Sequence, residues 1–155
     1  MTKIIPTDVQ KKIAKILGVD ISSDSRNIAA ARIREIVEPA INPNSTYWTA
    51  TQKQIEYAKS LDLNIAGDSF WVCSAKIDDR LRELNQAALD KLKLKPGDRV
   101  IVTTKGKVGE KNYETQDEYI VSSVGKNLRV YFKGGGGRGA WPRQIEKIEE
   151  FFDLK

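Results

Sequence analysis

Arg129, Tyr131 and Lys133 alternate along LRVYFK at residues 128–133, and the run leads into four glycines, Arg138, Gly139, Ala140, Trp141 and Pro142. In an extended strand every second side chain shares a face. The two cations and the ring are therefore expected on one side, and Leu128, Val130 and Phe132 on the other. A row of base, ring and base can hold phosphates on its charges and stack a nucleobase or sugar on its ring, the stack being worth roughly 1–3 kcal/mol per base. Glycine costs about 0.5–1 kcal/mol in a regular element, so residues 134–139 are expected as a loop whose backbone comes close to a partner. Arg138 adds a planar fork of donors suited to phosphate. Trp141 follows as a second ring, and Lys105, Lys107 and Lys111, with Tyr113, lie in a stretch at 105–117 expected as a long loop folding over the same side.

Other chemistries lose support from composition. The 155 residues contain no histidine, which removes the commonest general base and the commonest zinc ligand. Cys73 is the single cysteine, so there is no internal disulfide framework. The glycine run lacks the Gly-Lys-Ser/Thr of a phosphate-cradling nucleotide loop. Asp78 and Asp79 are neighbours on an expected helix and diverge by about 100°, so they do not make a working carboxylate pair. Asp98, Glu110 and Lys111 are a thin candidate for a metal-dependent nuclease centre. No cofactor and no metal are expected. No apolar run reaches membrane-spanning length and the N-terminus carries no signal pattern, which predicts a cytoplasmic protein with no membrane partner.

The net charge of +5 is unevenly distributed. Residues 1–45 hold seven Lys and Arg against five acids, residues 46–90 five against seven, and residues 91–155 fourteen against nine. Within the last segment, residues 91–145 carry twelve bases against five acids, a net +7. The basic field belongs to the C-terminal third, whose tail from Glu146 onward is acidic and aromatic.

The elements that must position these residues fall into two parts, residues 1–93 and 94–155. The first is an internal duplication, because a shift of 44 positions lays the chain on itself. Thr7, Gln10, Ala14, Lys15 and Leu17 fall on Thr51, Gln54, Ala58, Lys59 and Leu61. Ile21, Asp24, Ser25, Ala31 and Ile33 fall on Ile65, Asp68, Ser69, Ala75 and Ile77. Each copy, about 7–38 and 51–92, reads as helix, turn, helix. Thr-x-x-Gln forms a capping box at the first helix, Gly18 stops that helix in copy one, and Asp24 or Asp68 is expected to cap the second helix. Pro39 and Pro43 are expected to end copy one. Cys73 stands where copy one has Ala29, on an apolar stripe, and is expected in the core. Phe70 and Trp71 replace Arg26 and Asn27. They are expected to fill the seam between the copies or, with Tyr47 and Trp48, to form an exposed docking patch. The stretch TATQKQIEYAKSLDLNIAGDSFWVCSAKIDDRL resembles short helical segments at the tails of phage and plasmid DNA-recombination proteins, which implies a nucleic-acid context and assigns no residue a role.

In the second part the period becomes alternating. Strands are expected at 99–104, 118–124, 128–133, 140–143 and 145–148, with a tight hairpin at Gly125, Lys126 and Asn127. The order of these strands and the opening GDRVIV resemble the small barrels of the Tudor, chromo-barrel and KOW kind over residues 95–148. The resemblance implies a five-stranded antiparallel barrel, too small to be stable without leaning on the helices.

The expected fold is therefore α+β, duplicated helical hairpins forming a four-helix unit followed by a small five-stranded antiparallel barrel. The expected function is non-enzymatic binding of nucleic acid, DNA or RNA, through Arg129, Tyr131, Lys133, Arg138 and Trp141, supported by Lys105, Lys107 and Lys111. The alternative is a protein-interaction adaptor or inhibitor acting on a nucleic-acid-handling complex, anchored by Tyr47, Trp48, Phe70 and Trp71.

Overall fold

A computed structural model describes residues 3–42, 44 and 49–149. Four helices, α1 (Asp8–Leu17), α2 (Arg26–Ile41), α3 (Gln52–Ser60) and α4 (Phe70–Leu92), precede five strands, β1 (Arg99–Val108), β2 (Lys111–Val124), β3 (Val130–Phe132), β4 (Gly139–Ala140) and β5 (Ile145–Lys147). The fold is α+β. The chain divides into two compact units, Met1–Leu81 and Arg82–Lys155, and the division falls within α4.

The helical unit repeats itself bond by bond at the 44-residue offset. Thr7 and Thr51 each accept from the amide three residues on, and Gln10 and Gln54 each return a bond to the threonine amide. The same two glutamines then donate from Nε2 to the carbonyl oxygens of Arg26 and Phe70, at 3.2 and 3.3 Å, tying each first helix to the start of the second. Asp20 and Asn64 each hold the amide two residues ahead. Val19 and Leu63 both return an amide to the alanine five residues back, at 2.9 Å, closing the first helix. That closure demands a left-handed residue. Gly18 supplies it at φ +69°, and Asp62, its counterpart, adopts φ +57° despite its side chain.

Two local expectations fail here. Ser25 and Ser69, not Asp24 and Asp68, cap the second helices, their hydroxyls accepting from Ile28 N and Val72 N at 3.1 and 3.2 Å. The serine stands at the cap position, which leaves each aspartate to pair with a cation eight residues on: Asp24 with Arg32 at 2.5 Å, and Asp68 with Lys76 at 2.6 Å. A buried carboxylate such as Asp24 is stable only when so paired. Nor does Pro39 end the helix; α2 continues to Ile41. Proline this close to a helix end forfeits one backbone bond and leaves little helix beyond it to disrupt. Pro43 lies outside the described residues.

The second helices of the two copies meet through equivalent small residues. Ala31 and its counterpart Ala75 share one cluster with Val72, flanked by Ile28 and Trp71. Asn27 donates to Ala75 O and to Asp79 Oδ1, both at 3.2 Å, and Ser25 bonds the same carboxylate. Cys73 is fully buried. One row differs between copies. Ile5, Val9 and Ile16 are 61%, 64% and 84% exposed on the α1 side, where copy two carries Thr49, Lys53 and Ser60.

In the second unit the strands form one antiparallel sheet in the order β4-β3-β2-β1-β5. It is not closed into the expected barrel. The two edge strands are only two and three residues long. A 3-10 turn at Pro142–Gln144 carries the chain from one edge to the other without a ladder between them. Val100, Val102, Val121, Val130, Phe132, Ala140 and Ile145 make the core, and Leu89 and Leu92 from the end of α4, with Leu94, pack onto it.

The expected loop at 105–117 is instead strand. β1 and β2 pair continuously from Arg99↔Ile120 to Val108↔Lys111, and a two-residue turn at Gly109 and Glu110 joins them. Gly109, at φ +62°, permits that turn, and the ring of Tyr113 lies over Gly106, where any side chain would collide with it. The hairpin at 125–127 forms as expected. β3, however, begins at Val130, because Leu128 sits at φ +71° and cannot be strand.

A cap-closing glycine with open space around it isolates the backbone term. No atom lies within 4 Å of a Cβ placed on Gly18, so Gly18→Ala should cost about 1–2 kcal/mol through its left-handed φ alone. Asp62→Gly should leave stability unchanged or raise it. Urea unfolding of both variants checks the pair.

Candidate functional site

The β3–β4 ladder aligns Val130 with Ala140 and Tyr131 with Gly139. Gly139 is glycine for a steric reason: a Cβ there would lie 2.6 Å from Val130 O, 2.9 Å from Arg129 Nε and 3.3 Å from the Tyr131 ring. The vacant volume lets Arg129 cross the edge strand. Its Nη2 donates to Gly139 O at 3.1 Å, and its guanidinium carbon stands 5.6 Å from the centre of the Trp141 ring, within cation–π range. Trp141 remains 40% exposed.

Beside this pair the sheet leaves a cavity of about 490 Å³, lined by Arg129, Arg138 and Trp141 with Thr104, Tyr119 and Gln144 among its other walls. Tyr119 stacks on Phe132 at 4.7 Å and 9°, and both rings border the cavity. Gln144 Oε1 accepts from Trp141 N at 3.1 Å and fixes the turn that presents the indole.

The glycines at 134–137 have φ of +114°, +72°, +69° and +66°. A side chain reaches this region only at a cost of roughly 1–2 kcal/mol, so four such residues in succession favour glycine. Phe132 N donates to Arg138 O at 3.0 Å and closes the loop. Among the described residues, none of the four glycine amides has a protein acceptor. They are exposed to solvent and open to an acceptor such as an anion, next to the exposed Arg138 and Lys133.

Of the expected binding residues, Arg129, Arg138 and Trp141 converge on this cavity. Tyr131 does not line it; the ring packs against Gly125, and Asn127 Nδ2 reaches its hydroxyl at 3.4 Å. The straight row of Arg129, Tyr131 and Lys133 is thus bent, because Arg129 lies before β3 and turns over Gly139. The lysines separate as well. Lys105 stands opposite Glu114, 3.7 Å away, and Lys107 opposite Asn112, whereas Lys111 stands opposite Val108. Alternation places Lys111 on the other face of the ribbon from Lys105 and Lys107, so the three do not fold over one side. Thr104, Tyr119 and Gln144 escaped the sequence reading, although Trp141-x-x-Gln144 repeats the x-x-Gln spacing of the two helix caps.

The alternative docking set is also split. Phe70 and Trp71 meet edge to face at 5.2 Å, and Arg34 lies 3.7 Å over the Trp71 ring, which packs in the seam between the copies. Tyr47 and Trp48 lie outside the described residues.

Asp98 and Glu110 sit at opposite ends of the ten-residue β1, roughly 30 Å apart at strand rise, so with Lys111 they form no centre. Asp98 instead accepts from Lys95 N at 2.7 Å and pairs with Lys147 at 3.3 Å. The Lys95 amide, aided by Lys147, holds its carboxyl below the usual range. Burial pushes the Cys73 thiol up, away from the reactive thiolate. Among the described residues no three Cys, Asp or Glu are grouped to hold a metal, and no helix is long and apolar enough to cross a membrane. No protein-family model, curated protein or solved structure matches this chain.

Because Gly139 faces a backbone oxygen, Gly139→Ala should destabilise by about 1–3 kcal/mol, the usual cost of overpacking. It should also release Arg129 from the edge strand. Thermal unfolding and the indole environment of Trp141, followed by NMR, check both effects.

Proposed function

We propose that this is a non-enzymatic, cytoplasmic nucleic-acid-binding protein whose C-terminal sheet contacts phosphates through Arg129, Arg138, Lys133 and the glycine-loop amides. The observation that carries this reading is the convergence of two guanidinium groups and a half-exposed indole on one cavity, beside backbone donors that have no internal acceptor. Backbone amides and arginine forks are the groups that hold phosphate oxygens. The +7 carried by residues 91–145 supplies the attractive field. Lys105, Lys107 and Lys111 add to that field from both faces of the ribbon without touching the cavity.

The test is binding of labelled DNA and RNA by fluorescence anisotropy over a range of salt. Affinity should fall by about 0.9 log units per log unit of salt for each duplex phosphate contacted, or about 0.7 for a single strand. Arg138→Ala should lower that slope by about one contact. Arg129→Ala combined with Arg138→Ala should abolish binding, while Trp71→Ala retains it. A flat salt response, or full binding by the double variant, would contradict the proposal.

One observation favours a second reading, an interaction module acting on a nucleic-acid-handling complex. Copy one exposes Ile5, Val9 and Ile16 where the matching fold positions of copy two are Thr49, Lys53 and Ser60. The fold does not need an apolar row there. Val9→Lys with Ile16→Ser, which writes copy two's residues into copy one, should leave stability intact on either reading. It should disturb a complex only on this second one.

A further inference from the structure

We infer that the cavity beside Trp141 receives one unpaired nucleotide of a single strand, base inward and phosphate on the glycine loop; the inference rests on the proposed nucleic-acid function. The volume, about 490 Å³, falls within the roughly 300–1,000 Å³ of small-ligand sites. A phosphate alone fills only a small part of that volume. A base in a duplex cannot enter it, because its faces are stacked and its pairing edge is occupied.

The walls match a base in both of its chemistries. For its faces, Arg129 stands over the Trp141 ring at 5.6 Å, Trp141 is 40% exposed, and the stacked rings of Tyr119 and Phe132 border the same space. Stacking is blind to base identity, since every base has a π-face. For its edge, Thr104 brings a hydroxyl that donates and accepts. Gln144 spends Oε1 on Trp141 N and keeps an Nε2 that has no acceptor among the described residues. That amide nitrogen can donate to the carbonyl oxygen or unprotonated ring nitrogen that every base presents.

The phosphate side is separate and adjacent. Gly137, Arg138 and Gly139 belong both to the cavity wall and to the end of the glycine loop. A nucleotide with its base against Trp141 therefore places its phosphate near Arg138 and the free amides of 134–137. Gly139 serves both halves, since the volume it leaves vacant is what brings Arg129 to the indole. The β-ribbon of β1 and β2, ten pairs long, lends Thr104 to the cavity and places Lys105 on its opposite face.

The experiment compares a labelled single-stranded 12-mer with the same sequence as a blunt duplex, at fixed salt, against the full chain and its Trp141→Ala and Trp141→Phe variants. The single strand should bind at least tenfold tighter than the duplex. Trp141→Ala should weaken it by about 5- to 150-fold, the range of one lost base stack, and weaken duplex binding by a clearly smaller factor. Trp141→Phe, which keeps a ring, should recover most of the loss and shows that the alanine variant has not failed by misfolding. A free nucleoside monophosphate should compete weakly, because it lacks the neighbouring phosphates. Competition as strong as the 12-mer would overturn the assignment to a strand. Equal binding of strand and duplex, indifferent to Trp141→Ala, would overturn the base cavity while leaving phosphate binding standing. No binding of either would remove the functional reading itself.

Discussion

The C-terminal unit depends on a vacancy, the hydrogen that Gly139 carries where any other residue has a Cβ. Through that gap Arg129 crosses β4, bonds its backbone and reaches Trp141. One arginine thereby fastens a two-residue edge strand and orients the ring beside it. A strand this short has too few ladder bonds to hold itself. The glycines at 134–137 have four successive positive φ values, and among the described residues their amides have no backbone acceptor. Side chains are excluded by close contact at Gly139 and disfavoured by the positive φ at 134–137. The donors of the site are consequently backbone amides and the long arms of arginines rooted nearby.

The helical unit is a different kind of object. Its two copies agree at the caps, at the left-handed stop, at the Asp–cation pair and at the buried alanine or cysteine, all positions that build a hairpin. They disagree where the copies meet and where α1 faces solvent. Asn27 donates across the seam, while its counterpart Trp71 packs there under Arg34. The asymmetry lets two similar hairpins pack through Ala31 and Ala75 without being interchangeable. The fold therefore needs the shared residues, and the unshared ones give each copy its own place.

Much of this was legible in the sequence for physical reasons. A capping box is a local contract between residues three apart, so Thr-x-x-Gln predicted both helix starts. The 44-residue offset laid the second copy on the first, although Asp62, where copy one has Gly18, gave no sign of taking the same left-handed turn. Alternation located Val130 and Phe132 in the core. What failed involved contacts distant in sequence or competition between neighbours. Ser25 stands at the cap position and takes it, and Asp24 pairs instead with Arg32, eight residues on. Residues 105–117, rich in polar and charged side chains, read as loop, yet ten cross-strand pairs make them a ribbon. The cavity itself was half visible. Arg129, Arg138 and Trp141 are close in sequence, but Thr104 and Tyr119 come from strands that only folding brings alongside.

The central claim is that free amides, arginine and indole act together on one ligand. Its most direct measurement is an amide and indole NMR titration of the labelled full chain with a short single-stranded oligonucleotide. The account predicts that the largest shifts fall on Gly135, Gly136, Gly137, Arg138 and the Trp141 indole, moving together along one binding curve. Shifts confined to α1, or spread over both faces of the β1–β2 ribbon with the glycine amides unmoved, would contradict it.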